Sequence, residues 1–301
     1  MRIFLTGASG FIGSRILTEL LAAGHHVTGL ARSETSAQTI INAGADVYRG
    51  TLEAPDSLAP ALQRADAVIH TAFDHDFHHF AQSCEKDRRV IYTLGQALKG
   101  SSRPLIITSG TGIGDDSPTA FSREDQFKAD NVNPRVASEI AGNALLNEGV
   151  NVRVVRLPQV HDTHRQGLIT FYIEHAVAKG TVAYPGAGGN RWSAAHVTDV
   201  AALYRLVLEK GEQGKRYHAV AEEGVPFRYI AGVVARKLSL PLISLSPAEA
   251  ESHFGGFAHF VAMNLHASSA WTRQQLGWRP VGPGLLEDLE NMDYAPLLLS
   301  R

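Results

Sequence analysis

Short apolar runs alternate with helix-length amphipathic stretches from the second residue of the chain onward. Arg2 to Thr6 is apolar and bounded by Gly7, which predicts a buried strand. Phe11 to Ala23 carries Ile12, Ile16 and Leu20 at helical spacing and meets Gly24, a residue suited to ending a helix. The same alternation predicts strands at His26 to Ala31, Asp46 to Arg49, Ala67 to Thr71, Pro104 to Thr108 and Asn151 to Leu157. Helices are predicted between them at Ser36 to Ala43, Leu58 to Arg64, Phe80 to Leu98 and Asn133 to Asn147. Connections this short join strands through right-handed crossovers, so the fold class is α/β with a parallel sheet.

Beyond Pro158 the pattern loosens. Helices are predicted at Leu168 to Lys179, Val197 to Lys210 and Phe227 to Leu238, then shorter pieces broken by Pro241, Pro247 and Gly255–Gly256. This change divides the chain into a nucleotide-binding part at 1–157 and a smaller, mainly C-terminal substrate-binding region at 158–189 and 216–301. Residues 190–215 are expected to pack back onto the first part. No Pro/Gly/Ser-rich linker separates the two, so they are expected to share an interface.

Composition narrows the function classes. Formal net charge is -2 with no basic block, which gives no footing for nucleic acid or an anionic membrane surface. Runs such as Ala201 to Leu208 are too short to span a bilayer, and the N-terminus enters a strand instead of a signal peptide. The lone Cys84 cannot form an intrachain disulfide, and a cytoplasmic protein is expected.

Thr6-Gly7-Ala8-Ser9-Gly10-Phe11-Ile12-Gly13 lies where a strand gives way to a helix. There Gly7 permits a tight turn, Gly10 lets backbone amides approach a pyrophosphate, and Gly13 allows close packing of helix on strand. In that context the glycines mark a dinucleotide site on a Rossmann-type, doubly wound sheet. Enzymes that use NAD usually place a carboxylate at the end of the second strand to hold the ribose 2′-hydroxyl. Here that position reads Leu30-Ala31-Arg32-Ser33, and a guanidinium suits a 2′-phosphate. NADP(H) is therefore expected over NAD(H), with Arg15 as a further candidate contact.

Five more segments join the glycine loop in a fixed order: Asp66 to Phe73, Leu105 to Ser109, Val152 to Pro158, His196 to Ala201, and Ser268-Ser269 leading to Leu276-Gly277-Trp278-Arg279-Pro280. Together they resemble the extended short-chain dehydrogenase/reductase superfamily, which includes NAD-dependent epimerases and dehydratases, over nearly the whole chain. The resemblance implies cofactor contacts at Gly7, Ser9, Gly10, Phe11, Ile12, Gly13, Arg32, Thr71, Ala72, Phe73 and Pro158. Where the family often has Gly-Asp-Leu after the third strand, this chain reads Gly50-Thr51-Leu52, which leaves Thr51 and Leu52 near the adenine. The family often dimerises through helices flanking the sheet, so a homodimer is an expectation.

The catalytic pattern departs from the family. Its carbonyl reductases pair a Ser/Thr hydroxyl with Tyr-x-x-x-Lys, whose i, i+4 spacing puts proton donor and lysine on one helix face. Aligning Ser138-Glu139 with the usual Ser-Lys puts Arg135 at the tyrosine and Glu139 at the lysine, and no Tyr-x-x-x-Lys occurs anywhere. Arg135 and Glu139 are then either an i, i+4 ion pair or a remodelled site with Arg135 facing a substrate oxygen. Arginine cannot supply the proton, its pKa lying above about 12. Ser109 and Thr111 after the fifth strand are candidates to polarise a carbonyl, and His161 after the sixth is a candidate acid. Arg191 and Trp192 precede His196, near where related epimerases carry a substrate arginine. His75, His78 and His79 with Asp74 and Asp76 could line the cleft mouth, and no metal is expected from them. Phe254, Phe257, Phe260 and Trp271 are expected to pack the smaller region.

The leading expectation is an NADP(H)-dependent oxidoreductase reducing a small-molecule carbonyl or activated alkene. The alternatives are an isomerase, epimerase or lyase that retains its dinucleotide, and a non-catalytic dinucleotide-sensing protein.

Overall fold

The computed structural model describes residues 1–113 and 121–298, with the backbone alone at His78. Strands β1 (Arg2–Thr6), β2 (His26–Ala31), β3 (Asp46–Arg49), β4 (Ala67–His70), β5 (Leu105–Gly110) and β6 (Val152–Leu157) alternate with helices α1 (Phe11–Ala22), α2 (Glu34–Asn42), α3 (Ala59–Arg64), α4 (Phe80–Gln96) and α5 (Val136–Asn147). Chain order then continues through β7 (Gln159–His161), α6 (Leu168–Lys179), β8 (Val182–Pro185), β9 (Arg191–His196), α7 (Val197–Lys210) and β10 (Arg216–His218). Next come β11 (Glu222–Pro226), α8 (Phe227–Leu238), β12 (Leu242–Leu245), α9 (Pro247–Phe254), α10 (Ala258–Ala262), α11 (Ala270–Leu276), α12 (Leu285–Asn291) and α13 (Ala295–Leu298).

The main sheet has seven strands in the order β10-β6-β5-β4-β1-β2-β3, every pair parallel. The order reverses between β1 and β4, and a doubly wound sheet binds its ligand at such a switch point. Side chains alternate across the strands. Ile106 of β5 packs with Ile16, Leu20, Leu203 and Val207 of α1 and α7, whereas Leu105 and Ile107 pack with Val90, Leu94 and Leu145 of α4 and α5.

Segment 216–218, placed by sequence with the substrate-binding region, is β10 and pairs with β6. The remaining strands form small sheets, β11-β9-β7 and β12-β8, under a lobe whose core includes Ile173, Trp192, Phe227, Phe254 and Val261. Phe254, Phe257 and Phe260 lie in that core. Trp271 does not: it stacks on Tyr217 at 5.5 Å and packs against the main sheet's core. Helix α5 starts at Val136, three residues later than its spacing predicts. The Asn131 and Asn133 side chains accept the amides two residues ahead, at 2.9 and 3.0 Å, and hold the preceding segment as turns. Among the described residues no helix is long and apolar enough to cross a membrane.

Candidate functional site

The switch point is lined by the turn between β1 and α1. Gly7 has φ of +71°, and a Cβ there would lie 2.7 Å from Thr71 Oγ1. A Cβ on Gly13 would lie 2.0 Å from the Gly7 carbonyl oxygen, so only glycine lets this turn close on its helix. Gly10 N–H donates to Gly7 O at 2.8 Å, and the first backbone bond of α1 runs from Ser14 N–H to Gly10 O at 2.9 Å. Phe11, Ile12 and Gly13 therefore precede the helical ladder, with their amides at the positive end of α1. The cap residue Gly10 provides no side chain to cover them, and half-buried Ser9 stands beside it.

Arg32 leaves the end of β2 exposed and has no ion-pair partner among the described residues. Glu34, the nearest acid, is bound to Arg49 at 2.8 Å. Ser33 caps α2 by accepting the Ser36 amide at 3.2 Å. Across the cleft, Thr51 Oγ1 accepts the Glu53 amide at 3.3 Å and Leu52 packs on the core beneath. Half-buried Pro158 separates β6 from β7. Arg15 reaches Asp162 at 3.4 Å, bringing the loop after β7 over the start of α1.

Behind Thr71, Ala72 and Phe73 runs a buried chain of hydrogen bonds whose directions can be deduced. Thr6 Oγ1 accepts the amides of Thr71 and Ala72 at 3.2 and 3.4 Å, so its proton goes to His70 Nδ1 at 2.7 Å. His70 Nε2 then carries hydrogen and donates to Asp87 Oδ1 at 3.0 Å. The other oxygen, Asp87 Oδ2, accepts from Ser138 Oγ at 2.5 Å and Arg135 Nη1 at 2.7 Å. Arg135 Nη2 donates to Thr108 O at 3.0 Å. Thr108 Oγ1 donates to His70 O at 2.7 Å and so receives the Tyr204 hydroxyl at 2.6 Å. Burial alone would push the Asp87 carboxyl up; Arg135, His70 and Ser138 outweigh it and hold it below the carboxylate range.

Arg135 and Glu139 are therefore not an i, i+4 pair. Arg135 turns toward α4, where Asp87 holds it, with its guanidinium carbon 4.1 Å above the Phe73 ring. Glu139 turns toward β6. Arg156 Nε and Nη2 donate to its two oxygens at 2.7 and 2.9 Å, and Arg216 Nε donates to Oε2 at 2.7 Å. Arg156 is fully enclosed, and its remaining hydrogens reach Arg123 O and Gln126 O at 3.2 and 2.8 Å. Burial, then the charge of Arg156, drives His218 down to about 3, so it faces the guanidinium as a neutral acceptor. The two positions that the resemblance aligns with tyrosine and lysine lie in two interior ion-pair networks.

The other candidates separate. Ser109 Oγ, at the end of β5, is buried and has no hydrogen-bond partner among the described residues. Thr111 is also buried, with its Oγ1 3.4 Å from Ser193 Oγ. His161 is fully enclosed on β7, its Nδ1 2.7 Å from Asp288 of α12, and burial lowers its pKa. Arg191 is bound to Gly224 O at 3.1 Å, and Trp192 is core. His79 bonds Asp76 at 2.8 Å and Asp74 lies 3.9 Å from Lys86; the side chain of His78 lies outside the described residues. Sequence reasoning passed over Asp87, Arg156 and Tyr204. Asp87 did leave a signal, because it occupies the same helical face as Cys84, Val90, Ile91 and Leu94.

A family model described as the NAD dependent epimerase/dehydratase family matches residues 3–220. The chain belongs to this family. An uncharacterized protein of Schizosaccharomyces pombe is 42% identical over 98% of this chain and the whole of the relative. The sterol-4-alpha-carboxylate 3-dehydrogenase, decarboxylating, of Dictyostelium discoideum is 26% identical, covering 75% of this chain and 73% of the relative. Among solved structures, the dTDP-glucose 4,6-dehydratase DesIV of Streptomyces venezuelae, with NAD and TYD bound, superposes with a TM-score of 0.77 at 21% identity, covering 98% and 97% of the two chains. Membership of the epimerase/dehydratase family implies a nicotinamide dinucleotide. The glycine cradle and the open first turn of α1 fit its pyrophosphate.

Proposed function

We propose that the protein transfers hydride from NADPH to a small carbonyl compound or activated alkene. One observation carries this reading: Ser109 leaves a buried, unpartnered hydroxyl at the end of β5, the strand next to β4 and so one strand from the switch point. A buried hydroxyl without a partner costs about 1–3 kcal/mol, which a substrate oxygen would offset by accepting its hydrogen bond. Bound NADPH supplies the hydride. Gly7, Ser9, Gly10, Phe11, Ile12 and Gly13 hold its pyrophosphate, Thr51 and Leu52 flank the adenine, and Thr71, Ala72, Phe73 and Pro158 border the rest.

Ser109 donates to the substrate oxygen as negative charge develops there, with Thr111 behind it. Arg135 adds positive charge across the Phe73 ring and gives up no proton, because a guanidinium stays protonated near neutral pH. His161 is fully enclosed, with its Nδ1 2.7 Å from Asp288 of α12. Water therefore protonates the product oxygen or enolate, which favours conjugated acceptors over simple ketones.

The test is loss of reduced-nicotinamide absorbance across ketones, aldehydes and enones, with Ser109→Ala alongside. Enones are expected to turn over fastest, and Ser109→Ala to lower kcat/KM by about 100-fold, the scale of one lost oxyanion donor. No oxidation with any acceptor rejects the reading. Dinucleotide surviving desalting would point to an isomerase or lyase instead, and redox-selective binding without turnover to a sensing protein.

NADPH is preferred because Arg32 is exposed with no ion-pair partner among the described residues, while Glu34 is occupied by Arg49. Arg32→Asp is expected to lower NADPH affinity at least about tenfold, or about 1.4 kcal/mol, and to raise NADH affinity. Titration of both dinucleotides checks this; unchanged affinities reject the preference.

A further inference from the structure

The loop that leaves β4 is seated on the glycine turn. A Cβ on Gly7 would lie 2.7 Å from Thr71 Oγ1 and 2.8 Å from the Ala72 amide nitrogen, so the loop touches the turn that fits the pyrophosphate. Thr71, Ala72 and Phe73 are half-buried and belong to no helix or strand. Side chains hold them there instead. Thr71 Oγ1 donates to Thr6 O at 2.8 Å, and Thr6 Oγ1 accepts the amides of Thr71 and Ala72 at 3.2 and 3.4 Å.

A hydroxyl oxygen has two lone pairs, and both are taken by those amides. The Thr6 proton then has one outlet, His70 Nδ1 at 2.7 Å, which must be bare. The hydrogen of the ring therefore sits on Nε2. What enforces that choice lies 3.0 Å beyond, at Asp87 Oδ1. An ionised carboxylate can only accept, so it admits the Nε2–H tautomer and rejects the other. Burial works against the charge on Asp87, and Arg135, His70 and Ser138 outweigh it, with Arg135 and Ser138 both donating to Oδ2. Thr6, His70 and Asp87 are all buried, so bulk water offers no replacement for a lost partner.

We propose that Asp87 is a positioning residue for the dinucleotide: by fixing the His70 tautomer, it keeps Thr6 Oγ1 free to hold the loop 71–73 against the glycine turn. This role requires a dinucleotide at that turn and nothing of the substrate or the reaction, so it stands apart from the reductase reading.

Asp87→Asn reverses the lock. The new amide oxygen is drawn to Arg135 and Ser138, where two donors meet it, and its NH2 group then faces His70. The ring takes the Nδ1–H tautomer, with Nε2 now accepting. Thr6 Oγ1 then receives a third donor and its own hydrogen loses its acceptor, so the loop amides are no longer held.

The full chain is titrated with NADPH and with NADH by fluorescence, and the imidazole nitrogens of the same proteins are read by NMR, His70 being the signal lost in His70→Gln. Wild type is expected to show a bare His70 Nδ1. Asp87→Asn is expected to show a protonated one and to weaken the better-bound dinucleotide at least about tenfold. Thr6→Val keeps the shape without the acceptor and is expected to give a similar loss, which Thr6→Ser restores. That pair reads the loop even if Asp87→Asn misfolds. A lowered melting temperature with unaltered affinity in Asp87→Asn would make the residue structural only and overturn the role. An unaltered His70 tautomer overturns it as well, as does wild-type affinity in Thr6→Val. Wild type that binds neither dinucleotide would reject the cofactor site and this role with it, whereas the expected shifts without any turnover would support the role and reject the reductase reading alone.

Discussion

Glu139→Lys is expected to leave no folded, soluble protein at ordinary expression temperatures. The substitution supplies the lysine of the family pattern but places an ammonium between Arg156 and Arg216, where Glu139 now accepts three hydrogen bonds at 2.7 to 2.9 Å. Removing one partner of a buried pair costs about 3–5 kcal/mol, and repulsion among three enclosed cations adds to it. Total stability of a domain is about 5–15 kcal/mol, so little or none would remain. Glu139→Gln keeps the shape and one acceptor oxygen while turning an NH2 group toward a guanidinium donor, and should lower the melting temperature without abolishing folding. Thermal denaturation of both variants checks the order; a Glu139→Lys protein melting within a few degrees of wild type would mean the network is not a stabilising element. Tyr-x-x-x-Lys cannot be restored here by two substitutions.

Gly13→Ala is the second large effect, and it acts on binding. The new methyl would sit 2.0 Å from the Gly7 carbonyl, so turn and helix must separate, and the Phe11 and Ile12 amides move with the helix. Dinucleotide affinity is expected to fall at least about 100-fold, or roughly 2.7 kcal/mol. Gly232→Ala in α8 is the control, because a Cβ there meets nothing within 4 Å and alanine favours helix. Fluorescence titration with reduced dinucleotide separates the two; equal affinities would mean that the cofactor lies elsewhere.

Much of the fold was legible because long periodic segments carry strong signals. The helix Phe11–Ala22 has four inward positions and a glycine stop, and the buried strands of the main sheet read as apolar runs bounded by turns. Strands β7 and β10 were not legible, at three residues each, nor was β12, whose first three residues are exposed. Such pieces are held by tertiary pairing and leave almost no pattern of their own.

The site was legible at the glycines and misleading at α5. The spacing of Arg135 and Glu139 fits an i, i+4 pair, but each found a stronger partner on another element, Asp87 on the neighbouring helix α4 and Arg156 on β6. Those partners lie 48 and 17 residues away, beyond any local rule. His161 was a reasonable acid by position after β6; only the packing of α12 against it reveals that its ring is enclosed. Spacing tells which residues can meet, and packing decides which do.

The path of the chain also constrains how the molecule can have been assembled. After leaving the main sheet at β6, the polypeptide contributes α6 and β8 to the C-terminal lobe, returns as α7 and β10 to complete the first layer, and departs again. A fragment ending at 157 would leave Ile16 and Leu20 without Leu203 and Val207 against them. Neither half is a cassette that could be exchanged or deleted alone, so the cleft between them is inherited as a unit.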